Sequence, residues 1–193
     1  MKKKDPLTIV HLVLMAALVL FNGFAVFMYF SGNGLYGVSK LEMLLRGFFS
    51  IFTIIALIIG ILYVLNAYGK KAANYYKAFL LVQAFETLLL FFFLVFNEQS
   101  VLSILLLIAT AGKFLVLLVL ALWKDLGKKK TVILFLVLVG LEVAASVLLF
   151  FYHPSPSLIP YKIIGVISRL VMLGAVGLAI RGKYKDKESR GTK

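Results

Sequence analysis

Long apolar runs, separated by short charged segments, set the pattern of this chain. Six runs are long enough to be membrane helices, over residues 7–30, 43–65, 78–96, 101–123, 131–152 and 163–180. About 20 apolar residues cross a hydrocarbon layer of ~30 Å. The pattern therefore predicts an all-α polytopic integral membrane protein with six transmembrane helices and a basic tail at 181–193. The first run follows Lys2, Lys3 and Lys4 and resembles a secretory signal, but 24 apolar residues exceed a signal core of ~7–15, so it reads as a retained helix.

Composition agrees: 62% of the 193 residues are hydrophobic and 15% charged, the balance of a membrane protein. With no cysteine, disulfides, thiol nucleophiles and Cys-ligated zinc or iron–sulfur sites are excluded. The chain has no Asn-X-Ser/Thr sequon, which agrees with a bacterial inner membrane.

A net charge of +13 raises nucleic acid as a partner, until the charges are placed. Sixteen of the 21 Lys/Arg residues fall in four clusters, at residues 2–4, 70–77, 124–130 and 181–193. If the helices alternate direction, all four lie on one side and only Lys40 and Lys162 on the other, so the positive-inside rule puts both termini in the cytoplasm. The natural partner of the basic face is then anionic lipid headgroups, not nucleic acid.

Short connections make helices three to six a string of antiparallel neighbours. The longer outer loops are glycine-rich (31–42) or proline-rich (153–162, with Pro154, Pro156 and Pro160). At a spacing of 56 residues the chain resembles itself: Glu86 falls opposite Glu142 and Lys113 opposite Arg169, which makes helices three and four a candidate copy of helices five and six.

These four charges are the main candidate chemistry. Each sits well inside a helix, and a central charge costs ~2.5–3.5 kcal/mol on insertion scales, so they must face one another, a partner or a wet cavity. The simplest pairing is Glu86 with Lys113 and Glu142 with Arg169; Lys113 with Glu142 is the alternative. Helical spacing adds polar companions: Gln83 and Thr87 beside Glu86, Ser103 and Thr110 beside Lys113, Ser146 beside Glu142. Arg46, Ser50 and Thr53 share a side of helix two, and His11, Met15, Leu18 and Asn22 a side of helix one. Arg46 is also spaced to pair with Glu42 at i,i+4. The candidate ligand or pathway residues are thus Glu86, Lys113, Glu142, Arg169, Gln83, Arg46 and Asn22.

Other motifs fail on context. Gly32-Asn33-Gly34-Leu35-Tyr36-Gly37 matches GxGxxG, but it follows a membrane helix rather than a strand. His11 and His153 lie towards opposite faces and cannot share a haem; no HExxH or GxSxG is present, and no cofactor or metal site is expected. Phe91, Phe92 and Phe93 read as lipid contacts, Tyr75 and Tyr76 as interface anchors.

At Leu12-Val13-Leu14-Met15-Ala16-Ala17-Leu18 the first helix resembles the opening of the substrate-binding subunits of energy-coupling-factor vitamin transporters. That resemblance implies a six-helix protein, cytoplasmic at both ends. The alanine-x-x-x-alanine pattern of that family is absent, since position 20 is Leu20.

Three functions follow. The first is binding or transport of a small charged or zwitterionic solute at a midplane site, in which Lys113 and Arg169 hold an anionic group and Glu86 and Glu142 a cationic one or a proton. The second is a non-catalytic membrane subunit, regulator or scaffold, docking through polar faces or small residues such as Gly165, Gly174 and Gly177. The third is an enzyme acting on lipid-linked substrate through Glu86 and Glu142.

Overall fold

A computed structural model gives the fold, describing residues 6–31, 40–65, 71–95, 100–123, 128–152 and 158–190. Six helices run over Pro6–Ser31 (α1), Lys40–Leu65 (α2), Ala72–Val95 (α3), Val101–Leu122 (α4), Lys128–Tyr152 (α5) and Ile159–Arg190 (α6). All six are long and apolar enough to cross a membrane, so the chain is an all-α polytopic membrane protein. The GxGxxG-like turn, His153 and the side chains of the tail lie outside the described residues.

Helix ends differ from the hydropathy pattern for local reasons. The helix expected from 78 starts at Ala72, with Asn74 and Tyr75 N–H groups bonded to the Lys71 carbonyl at 3.1 and 3.2 Å. Hydropathy marks where the bilayer lies, whereas a helix continues into water wherever its backbone stays bonded. Likewise α6 takes in Pro160, which lacks an N–H where the first turn has no acceptor for one, and it runs on to Arg190 rather than ending at 180. At α4 the Ser100 hydroxyl accepts from the Ser103 N–H at 3.1 Å and caps the helix. Within the helices Thr53, Thr87, Thr110 and Ser168 donate to the carbonyl one turn back, so their hydroxyls are satisfied in a solvent-free interior.

Each helix packs on its chain neighbours, and α6 closes the ring against α1 and α2. Call the end where α1 passes to α2, α3 to α4 and α5 to α6 the upper end. The lower half is filled by one apolar core to which all six helices contribute, with Met15, Leu57, Phe79, Leu117, Leu138 and Met172 fully buried. Close approach there uses glycine: a Cβ on Gly60 would meet Met15 Cε at 2.8 Å, and one on Gly177 would meet Phe135 at 3.1 Å. Among the described residues the upper half has only small satellite clusters, around Ala25, Tyr29 and Leu158 and around Leu94 and Leu106. Leu20, Phe24, Ile108, Leu115, Leu136 and Phe151 turn outward, the surface a bilayer covers.

The plug is expected to carry much of the stability. Phe79→Ala should destabilise the bundle by about 3–5 kcal/mol, and Phe24→Ala, on the outer surface, by less than about 0.5 kcal/mol. Thermal unfolding in mild detergent measures both; equal midpoints would contradict a packed lower core.

Candidate functional site

The four buried charges come from four helices and meet at one depth. Glu86 is nine residues from the upper end of α3, Lys113 twelve from that of α4, and Glu142 and Arg169 ten each from those of α5 and α6. At 1.5 Å per residue these are depths of about 14–18 Å, close to the middle of a ~30 Å layer. Arg169 Nη2 lies 2.7 Å from Glu86 Oε1, and its Nη1 lies 3.5 Å from Glu142 Oε1. Lys113 Nζ is ion-paired with Glu142 Oε2. The order is therefore Glu86–Arg169–Glu142–Lys113, with each base joined to an acid of the other hairpin.

This corrects the simplest pairing. Glu86 does not pair with Lys113, and the alternative partner of Lys113, Glu142, is the one observed; the Glu142–Arg169 pair survives as a longer second contact. α4 packs on both α3 and α5, so backbone proximity leaves Lys113 either acid, and its ammonium turns to Glu142 of α5; α3 and α6 do not touch along their backbones, and the long Arg169 side chain spans the gap to Glu86.

The polar companions fall where helical spacing puts them. Gln83 Nε2 donates to Glu86 Oε2 at 3.1 Å, and the Ser146 hydroxyl to Glu142 Oε1 at 3.3 Å. Asn22 donates to Ser168 Oγ and to the Leu18 carbonyl, both at 2.8 Å, tying α1 to α6. Arg46 pairs with Glu42 at 2.7 Å, the i,i+4 contact its spacing allows.

Two cavities flank the network. One, of about 50 Å³, is lined by Arg46, Phe49, Glu86, Lys113 and Arg169, with Phe93 on its wall. The other, of about 80 Å³, is lined by Asn22, Tyr29, Arg46, Lys162, Gly165 and Arg169, among others. A water molecule needs ~10–15 Å³ on this measure, so each holds a few waters or a group of a few heavy atoms. Arg46, Phe49, Leu149 and Arg169 are common to both linings and form the partition between them. Arg169 Nε is buried and makes no hydrogen bond within the protein.

Sequence reasoning missed Lys162, Tyr29, Tyr161 and Ser168. Lys162 is 8% exposed and donates to the Phe150 carbonyl at 3.1 Å; it is not a surface charge. Its spacing held the signal, since Lys162, Gly165 and Arg169 fall at i, i+3 and i+7 on one helix face. The aromatic assignments divide: Phe92 faces outward, Phe93 turns to the first cavity, and Tyr76 packs on Tyr63 with ring centroids 5.5 Å apart. Gly174 and Gly177 face His11 and Phe135 within the bundle, and Gly165 opens on the second cavity. Among the described residues no group of three or more His, Asp or Glu is placed to hold a metal ion.

Comparison with protein-family models, with curated proteins and with solved structures gives no match. Fold and site by themselves define the class: a polytopic membrane protein whose buried charges are paired with one another.

A double-mutant cycle checks the network. Glu142→Leu strands Lys113 in an apolar interior and should cost about 3–5 kcal/mol, whereas Lys113→Met with Glu142→Leu removes both charges and should recover most of that loss. Additive losses in detergent unfolding would mean that the two side chains are not coupled.

Proposed function

We propose that the chain binds and passes a small charged or zwitterionic solute through the polar centre of its bundle. The observation that carries this reading is the position of Arg169, which contacts both carboxylates and forms part of the wall between two cavities that each hold a few heavy atoms. Ion pairs that only lock helix register need no open space beside them. Here an incoming anionic group competes for Arg169 and Lys113, and the carboxylates it displaces receive the solute's cationic end or a coupling proton. The apolar plug below closes the lower route, so passage requires the lower half to open while the upper half closes. Reciprocal pairing between the hairpins supports an internal repeat, α3–α4 with α5–α6, as the pair of units that rock against each other.

The four basic clusters support an orientation with the lower end and both termini in the cytoplasm, against anionic headgroups. Docking through the membrane charges, as a subunit of a larger assembly, has less support, because those charges find partners inside the chain.

Two outcomes are expected. Protein extracted in mild detergent should retain a small charged mass in native mass spectrometry, and the folded double variant Lys113→Met/Glu142→Leu should lose it. An empty wild type, or a stoichiometric protein partner in its place, would remove the solute path. For orientation, the chain's lack of cysteine allows single labels: in intact cells Val101→Cys should react with an impermeant maleimide and Lys71→Cys should not. The reverse pattern would invert the bundle.

A further inference from the structure

The two buried carboxylates are not equivalent. Glu142 lies between two cations, ion-paired with Lys113 and 3.5 Å from Arg169 Nη1, whereas Glu86 touches one, Arg169 Nη2 at 2.7 Å. Glu86 and Lys113 both line the smaller cavity, and Glu142 lines neither cavity. The remaining charges facing Glu86 come from α2, where Arg46 and Glu42 line the same cavity and hold each other at 2.7 Å.

Neutralising one acid or the other therefore has different consequences. A proton on Glu142 leaves Lys113, which among the described residues pairs with that acid alone, as an uncompensated charge in an apolar interior. A proton on Glu86 leaves Arg169 with Glu142 still beside it. The hydrogen-bond partners differ in the same sense. Gln83 Nε2 donates to Glu86 Oε2 at 3.1 Å, and an amide carries an acceptor as well as a donor, so Gln83 serves a carboxylate or, turned over, a carboxylic acid. Lys113, the partner of Glu142, only donates.

The smaller cavity leads from the upper end to Glu86. Its lining begins at Glu42, two residues into α2, passes Arg46 at six, and reaches Glu86 nine residues from the upper end of α3. At 1.5 Å per residue that is a descent from about 3 Å to about 14 Å below the helix ends. Its volume of about 50 Å³ has room for a few waters, enough to carry a proton along it.

We infer that Glu86 is the proton-carrying carboxylate of this network: when Arg169 turns to an anionic group, Glu86 takes up one proton along the smaller cavity, while Glu142 stays ionised against Lys113. The charges balance. The anion that takes Arg169 brings in one negative charge and the proton one positive charge, and a buried carboxylate that has lost its one cationic contact is neutralised rather than left charged. Anion entry and proton uptake are then linked one to one. The inference deepens the solute-path reading and rests on it for the anion, not for the proton site.

Arg169→Gln, in full-length protein reconstituted in phosphatidylcholine nanodiscs, imitates an Arg169 drawn away from Glu86 without any ligand. Infrared spectra at neutral pH should then show a neutral-carboxyl stretch that the wild type lacks, and Arg169→Gln/Glu86→Gln should lose it. Absence of the band would mean that Lys113 or Arg46 takes the place of Arg169, and a band that survives Glu86→Gln would put the proton on Glu142; either result overturns the inference. If Arg169→Gln does not fold, the wild type is acidified instead. The first variant-dependent carboxyl band to appear should be one that Glu86→Gln removes and the double variant Lys113→Met/Glu142→Leu retains, and the opposite pattern overturns the inference. A neutral Glu86 in a protein from which native mass spectrometry recovers no solute would sink the solute path and leave the proton site standing. Retained solute without the band would sink the proton site alone.

Discussion

Hydrocarbon offers a charged side chain neither water nor counter-ions, so a charge placed there must find its partner within the protein. This chain puts four such side chains near the middle of four helices, and Arg169 is the one that joins them, reaching Glu86 across the ring and Glu142 beside it. With Lys113 on the far side of Glu142, α3, α4, α5 and α6 are tied at a common depth. Lengthening or shortening any of them relative to the others would pull a charge away from its partner, so the pairs constrain register as well as composition. A second tie, Asn22 to Ser168, brings α1 to α6 one residue from Arg169.

The network also divides the molecule. Below it, side chains from every helix interlock into an apolar plug, with glycines where neighbours approach most closely. Above it the helices enclose open space lined by arginine, lysine, tyrosine and hydroxyl groups. Packing density is thus unequal along the membrane normal. Close-packed interiors resist small deformations, while a half with cavities can repack at lower cost. The proposed solute path draws on this asymmetry and asks of Arg169 an exchange of partners.

Much of this was legible from residue order. Six apolar runs announced six helices, because only a helix satisfies its own backbone in lipid. The isolated Glu86, Lys113, Glu142 and Arg169 stood out because each is costly where it lies, and helical spacing correctly grouped Gln83 and Thr87 with Glu86 and Ser146 with Glu142. Helix ends were less legible at Ala72 and Arg190, since hydropathy follows the bilayer rather than the backbone hydrogen bonds. Lys162 reads as an outer-side charge because it closes the proline-rich loop 153–162, although its two-turn offset from Arg169 places both on one face.

Sequence by itself determined the membrane class, the number of helices and the need for the buried charges to be neutralised, since each follows from transfer energies that depend on residue type and local spacing. Tertiary structure alone decided which acid each base takes, that the space beside Arg169 is divided into two cavities, and that the cavities occupy one half of the bundle while the plug fills the other. Those features depend on which helices lie side by side and on whether a side chain of given length can cross between them, and nothing in the order of residues along one helix encodes that distance.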